Sequence, residues 1–292
     1  MSKKIAGIDI GSNAMRLIIN EIVESGNNQN EFVKLNYLRL PIRLGGSVFT
    51  KGYIDEPKEK EFLKGLLIYK EILEYFQVDK YRACATSAMR SASNSQEILQ
   101  KIKDFCGLNI EIIDGFEEAE ILFYINKHKL KENEYYLSAD LGGGSIQLSI
   151  FYNEKILWTK SYPIGTVRML NNSVDKLTLN QYKQEIENLS QKYPKIKLIG
   201  TGGNINKISS LVNQKNVEKK QIQKIYNELK PLSVIQRMKK YDLREDRADV
   251  IVYACQIYLE LMSTFKSDSI YVPKAGLADG IIHKLYEQET NH

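Results

Sequence analysis

Asp9-Ile10-Gly11-Ser12-Asn13 forms the first turn of the chain, and Asp140-Leu141-Gly142-Gly143-Gly144-Ser145 repeats its design at mid-chain. Each follows a β-type run (Ile5–Ile10, Tyr135–Asp140), and each leads into a second (Met15–Ile19, Ile146–Ile150). An aspartate closing a strand, a glycine-rich turn and a returning strand make a hairpin whose tip carries no bulky side chain. Backbone N–H groups at such a tip can approach phosphate oxygens, and the aspartate can hold a hydrated cation against them. Two copies imply two similar lobes facing one phosphate-filled cleft, which points to phosphoanhydride chemistry.

The pattern extends outward from both turns. The first lobe reads as strands over Lys3–Ile10, Ala14–Ile22 and Glu31–Leu40, with Ser25–Asn30 as a polar turn. A helix follows over Glu56–Phe76, with Asp55 as N-cap, Pro57 in the first turn and Phe62, Leu66, Tyr69, Leu73 and Phe76 at helical spacing. Next come a strand (Tyr81–Thr86), a helix (Ser95–Cys106) closed by Gly107, a strand (Ile110–Ile113) and a helix over Phe116–Leu130. The second lobe repeats the scheme with strands Tyr135–Asp140, Ile146–Phe151 and Lys155–Ser161, a helix over Leu179–Tyr193 and a strand over Ile196–Gly200. It then turns mostly helical, with an apolar helix over Asp249–Phe265 and a last strand at Ile270–Val272. Three antiparallel strands followed by strand–helix alternation, twice over, is the duplicated α/β fold of the actin, sugar-kinase and Hsp70 type (ribonuclease H-like). The expected boundary puts residues 1–125 in lobe I and 126–292 in lobe II, with a helix-borne hinge near 125–133 and the C-terminal helix free to pack back on lobe I.

The 292 residues are enough for two cores, and 43% apolar with 26% charged residues is ordinary for a soluble globular chain. No apolar run approaches a membrane span, and the N-terminus enters a strand directly. Cys84, Cys106 and Cys255 lie far apart, as do His128, His283 and His292, so neither set has metal-ligand spacing. Reduced, mostly buried thiols fit a cytoplasmic protein. The net charge is +5, and Leu211–Lys240 alone holds eight basic residues against Glu218 and Glu228. Such a stretch reads as a solvated face or as a surface that concentrates polyanions.

Three further segments bear on chemistry. Thr86-Ser87-Ala88-Met89-Arg90 ends a strand, and its arginine offers phosphate a bidentate fork. Gly115-Phe116-Glu117-Glu118-Ala119 places carboxylates at a helix start, where one could deprotonate an attacking water. Thr201-Gly202-Gly203-Asn204 is a third glycine-rich strand-to-helix junction suited to phosphate.

Taken in order, these pieces, with Arg43-Leu44-Gly45 and Arg247-Ala248-Asp249-Val250-Ile251, resemble the exopolyphosphatase/guanosine pentaphosphate phosphohydrolase (Ppx/GppA) family. The matching pieces span nearly the whole chain. The resemblance implies Glu118 as catalytic base and Arg90 as phosphate-binding arginine. It implies phosphate or substrate contacts from Ser12, Asn13, Arg43, Gly142, Gly143, Gly144, Ser145, Gly202, Gly203 and Asn204. Asp140 matches a Mg²⁺-associated carboxylate, and Asp9 could join through water. Where the family usually reads Gly-Gly-Gly-Ser-Thr-Glu, this chain has Ile146 and Gln147, so an amide stands in a carboxylate's place near the metal.

The expected activity is Mg²⁺-dependent hydrolysis of the terminal phosphoanhydride of inorganic polyphosphate, guanosine pentaphosphate, or both, with release of orthophosphate. The alternatives are a catalytically weak regulatory protein that binds polyphosphate or a guanosine penta- or tetraphosphate alarmone, and a kinase-like ATPase. Neither DNA nor a membrane is expected as a partner, and a homodimer stays open.

Overall fold

The computed structural model describes residues 3–23, 31–127 and 130–290. The expected turn at Ser25–Asn30 lies outside them, as do His128, His292 and part of the 125–133 segment. The chain divides into two compact units, Met1–Tyr124 with Leu277–His292, and Ile125–Gly276. Each repeats a three-strand meander followed by crossovers, which is the duplicated actin-like α/β architecture.

The first unit holds β1 (Lys3–Ile10), β2 (Met15–Val23), β3 (Glu31–Leu40), α1 (Leu44–Lys51), α2 (Glu56–Tyr75) and β4 (Lys80–Ala85). It continues with α3 (Ser87–Ser91), α4 (Ser95–Cys106), β5 (Glu111–Ile112) and α5 (Gly115–Asn126), which runs into the second unit. The sheet order is β3-β2-β1-β4-β5, antiparallel across the meander and parallel from β1 to β5. β1 is central and buried over its last six residues, as a continuous apolar run requires. On one face Ile8, Ile10 and Leu17 pack against Phe62, Leu66 and Tyr69 of α2 and Ile98 and Ile102 of α4. On the other, Ile5, Ile18 and Ile22 meet Ala278, Ile282 and Leu285 of α13 (Leu277–Thr290).

The second unit holds β6 (Tyr135–Leu141), β7 (Ile146–Tyr152), β8 (Lys155–Tyr162), α6 (Thr166–Leu170), α7 (Lys176–Lys192), β9 (Lys197–Thr201) and α8 (Gly202–Val212). It continues with β10 (Asn216–Glu218), α9 (Lys219–Leu229), α10 (Val234–Tyr241), α11 (Glu245–Ala248), α12 (Ile251–Thr264) and β11 (Ser269–Tyr271). Its sheet order is β10-β11-β9-β6-β7-β8. Leu137, Ala139, Leu148 and Ile150 face a core completed by Tyr182, Ile186, Ile205, Ile208 and the apolar side of α12.

Asp55 caps α2 by accepting from Lys58 N at 3.2 Å, and Gly107 closes α4 at φ +69°. Some boundaries differ from the sequence reading. α5 ends at Asn126 rather than Leu130, and the helix expected from Asp249 starts at Ile251, with the separate turn α11 before it. α7 starts at Lys176, three residues early, because Asp175 caps it by accepting from Thr178 N at 2.7 Å. The short helices α1, α3 and α6 were not expected. Five to eight residues give too few turns for a 3.6-residue period to register.

Candidate functional site

In the first unit, the Asp9–Asn13 turn is closed by Gly11 N donating to Ala14 O at 3.2 Å. Two of its carbonyls are taken from behind: Gly45 N donates to Ser12 O at 2.8 Å, and Arg43 N to Asn13 O at 3.1 Å. Arg43 sits in the left-handed region (φ 57°) as the N-cap of α1. With carbonyls held on one side, the amide side of the turn is the side left for an anion. Ser12 Oγ is buried and has no hydrogen-bond partner among the described residues. Asp9 is buried opposite Arg16 in the β1–β2 register and accepts a hydrogen bond from Arg16 Nη1. Burial raises its pKa, and the guanidinium opposes that rise.

Arg90 closes α3, whose first amides follow the end of β4. Its Nη1 donates to Ile113 O at 2.6 Å and to Glu118 Oε2 at 3.1 Å. Glu118 lies in the first turn of α5, 9% exposed. Its neighbour Glu117 has different company: Arg82 Nη2 pairs with it, and Lys284 Nζ lies 3.7 Å away. The structure thus brings Glu118 and Arg90 together and commits Glu117 to a partly buried ion-pair network.

The second unit repeats this turn and its backing. Gly142 N donates to Ser145 O at 2.9 Å. From behind, Thr166 N donates to Gly142 O at 3.0 Å, while Val167 N and Arg168 N donate to Gly143 O at 2.8 and 3.2 Å. Arg168 Nε donates to Gly144 O at 2.8 Å, and burial pulls the arginine's pKa down. A Cβ on Gly165 would lie 2.3 Å from the carbonyl carbon and oxygen of Gly143, so this stretch is packed directly against the loop. The Gly165–Arg168 buttress was missed in the sequence. Its signal is a glycine shortly past the end of β8, in the place that Arg43–Gly45 holds after β3 in the first unit.

Asp140 faces Gln147 across the β6–β7 ladder and Thr201 across β6–β9. Thr201 Oγ1 donates to Asp140 Oδ2 at 3.0 Å. Gly202 has φ +84°, and a Cβ there would stand 2.8 Å from Asp140 Oδ1, so only glycine fits. Gly203 follows in the first turn of α8. Asn204 is buried with both ends of its amide committed: Nδ2 donates to Leu141 O at 2.7 Å, and Oδ1 accepts from Arg247 Nη1 at 3.1 Å. It braces the loop through its side chain.

A sequence profile of the Ppx/GppA phosphatase family matches residues 22–289. The chain belongs to the Ppx/GppA phosphatase family. A Photobacterium profundum protein named guanosine-5'-triphosphate,3'-diphosphate pyrophosphatase is 22% identical over 318 residues, covering 100% of this chain but 61% of its own length. The chain therefore spans about three fifths of that curated relative. Among solved structures, the Aquifex aeolicus member of the Ppx/GppA family has a TM-score of 0.79 at 26% identity, with both chains fully covered. An exopolyphosphatase from Cytophaga hutchinsonii ATCC 33406 has a TM-score of 0.85 at 24% identity, with 98% of each chain covered, and shows the fold.

Within this Ppx/GppA chain, the fit of a Mg²⁺ ion can be judged from the donors. Mg²⁺ takes one or two carboxylates and completes its shell with phosphate oxygens and water. Gln147 is 3% exposed; its Nε2 is held by Thr159 Oγ1, and its Oε1 is buried with no hydrogen-bond partner among the described residues. An unpartnered carbonyl oxygen opposite the Asp140 carboxylate suits a hard cation. The equivalent position in the first unit is the cation Arg16, so Asp9 is the poorer ligand. Among the described residues no three His, Cys, Asp or Glu side chains gather, so phosphate oxygens would have to complete the shell. No helix among them is long and apolar enough to cross a membrane.

Proposed function

We propose that this chain hydrolyses the terminal phosphoanhydride of inorganic polyphosphate, guanosine pentaphosphate, or both, and releases orthophosphate. The observation that carries the reading is the buried Glu118 carboxylate held 3.1 Å from Arg90 at the start of α5, beside a neighbour already engaged elsewhere. Glu118 takes a proton from the attacking water as that water closes on the terminal phosphorus. Arg90 orients the carboxylate and offers its guanidinium to the phosphoryl oxygens as their charge spreads. Each turn, Ser12–Asn13 in the first unit and Gly142–Ser145 in the second, offers its amides to phosphate oxygens because its carbonyls are fixed from behind. Mg²⁺ held by Asp140 and Gln147 would supply charge neutralisation to the phosphates.

Phosphate release from polyphosphate, guanosine pentaphosphate and ATP, measured in parallel with and without Mg²⁺, tests this. Release from ATP alone, or from none of the three, would reject it. The neutral Gln147, locked to Thr159, favours a second reading, a sensor that binds polyphosphate or alarmone without turning it over. That outcome would appear as tight binding with no phosphate release.

A further inference from the structure

The basic stretch between Leu211 and Lys240 lies outside the groups used above, and the structure sorts its charges. Its two acids are both engaged. Glu218 pairs with Lys220 at 2.7 Å and caps α9, while Glu228 pairs with Lys240 at 2.9 Å and accepts from Tyr241 Oη at 2.6 Å. Arg237 is structural: its Nε donates to Leu229 O at 2.9 Å and its Nη1 to Ala248 O at 3.1 Å, fastening the α9–α10 turn to α11. Lys215, Lys219, Lys224, Lys230 and Lys239 remain, and among the described residues none of the five forms an ion pair with a carboxylate. α9 buries Ile222, Ile225 and Leu229 on one side, so Lys219, Lys220, Lys224 and Lys230 spread over the other.

This hairpin is joined to the phosphate turn by a short chain of contacts. Arg237 holds the carbonyl of Ala248; the adjacent Arg247 holds Asn204, and Asn204 holds Leu141 O at the base of the Gly142–Ser145 loop. The surface also suits a polyanion without bases better than a nucleic acid. Each of the two tyrosines of the hairpin has a lysine of the hairpin over one face, Lys230 over Tyr226 at 5.3 Å and Lys240 over Tyr241 at 5.7 Å, where a stacking base would compete with the ammonium. A run of lysines whose neighbouring rings already hold ammonium groups matches a polyanion that has charge and no bases.

We infer that the α9–α10 hairpin is a docking surface for the body of a linear inorganic polyphosphate whose end occupies the Gly142–Ser145 loop. This rests on the function proposed above and makes long polyphosphate, rather than a compact guanosine phosphate, the better-held substrate.

The test compares Lys219→Gln/Lys224→Gln/Lys230→Gln with the charge-keeping Lys219→Arg/Lys224→Arg/Lys230→Arg and the wild-type full chain. Dissociation constants for long-chain polyphosphate and tripolyphosphate are measured across a salt series. The glutamine variant is expected to bind long chains roughly tenfold or more weakly at low salt and to lose about one unit of log–log salt slope per lysine. Tripolyphosphate binding should hold, and the arginine variant should match wild type. Equal losses for both ligands, no loss for either, or a single-stranded oligonucleotide displacing polyphosphate at equal phosphate concentration would each overturn the inference. Failure of the proposed function would look different: wild type would bind long chains through these lysines and release no phosphate.

Discussion

Glu117 and Glu118 are neighbours in sequence with opposite surroundings. Glu118 is buried beside Arg90, whereas the half-buried Glu117 meets Arg82 and Lys284. Glu118→Gln is expected to lower phosphate release by about 10²–10⁴-fold while substrate binding holds, because the amide keeps shape and loses basicity. Glu117→Gln should leave turnover near wild type and lower the melting temperature, since Lys284 and Arg82 lose a carboxylate. Initial rates and melting curves of the two variants check this, and an inactive Glu117→Gln beside an active Glu118→Gln would exchange the roles. Gln147 allows a metal test. Gln147→Glu puts a carboxylate opposite Asp140, so like charges repel without a cation and bind one better with it. The expected result is a lower melting temperature in chelator and a higher one in excess Mg²⁺, because a ligand bound only by the folded state stabilises it. Identical melting in both conditions would place Gln147 away from any metal.

Elements were legible where local chemistry matched a long period. The 20-residue α2 shows its cap, its proline and its apolar spacing, and all three appear in the structure. The start of α7 was hidden because Leu177, 67% exposed, breaks the apolar pattern that its Asp175 cap would have introduced. The two aspartate turns were readable from residue type alone, but their buttresses were not. Arg43–Gly45 and Gly165–Arg168 act mainly through backbone amides, which any residue but proline carries, with the Arg168 Nε bond to Gly144 O as a side-chain addition, so little in side-chain chemistry marks them. The glycine is the exception, and it yields a prediction. Gly165→Ala drives a methyl into the Gly143 carbonyl group, and backbone cannot yield as a flexible side chain would. A loss of roughly 1–3 kcal/mol in denaturant titrations is expected, with a raised KM as the phosphate loop shifts. Gly46→Ala is the control. Its Cβ meets nothing within 4 Å and it lies inside α1, so stability should rise by up to about 1 kcal/mol. If Gly165→Ala melted like Gly46→Ala, the buttress would not be holding the loop.

Duplication at the scale of the whole molecule gives each unit its own core, and each core buries thiol: Cys84 and Cys106 in the first, Cys255 in the second. Burial pushes the Cys84 and Cys255 thiols up to about 12, against an ordinary value of 9.0. Buried tyrosines move the same way: Tyr162 rises to about 12, and Tyr182 and Tyr258 are pushed well above their usual value. The sign follows from linkage. A folded pKa above the unfolded one means that the neutral, buried form stabilises the fold fully below the unfolded value. That contribution is lost as pH rises through the folded value. The melting temperature is therefore expected to fall steadily between pH 9 and about 12, when every such group is driven to ionise. Thiolate is the reactive form, so neither cysteine should take up a thiol reagent at neutral pH until its own unit opens. Labelling followed by peptide mass spectrometry then reports the two units separately in one experiment, Cys84 for the first and Cys255 for the second. Modification of either cysteine in the native protein at the rate of a free thiol would contradict the burial on which this rests. Simultaneous labelling of both along a denaturant series would show that the two cores open as one cooperative whole, whereas separated midpoints would show two units that fold on their own terms.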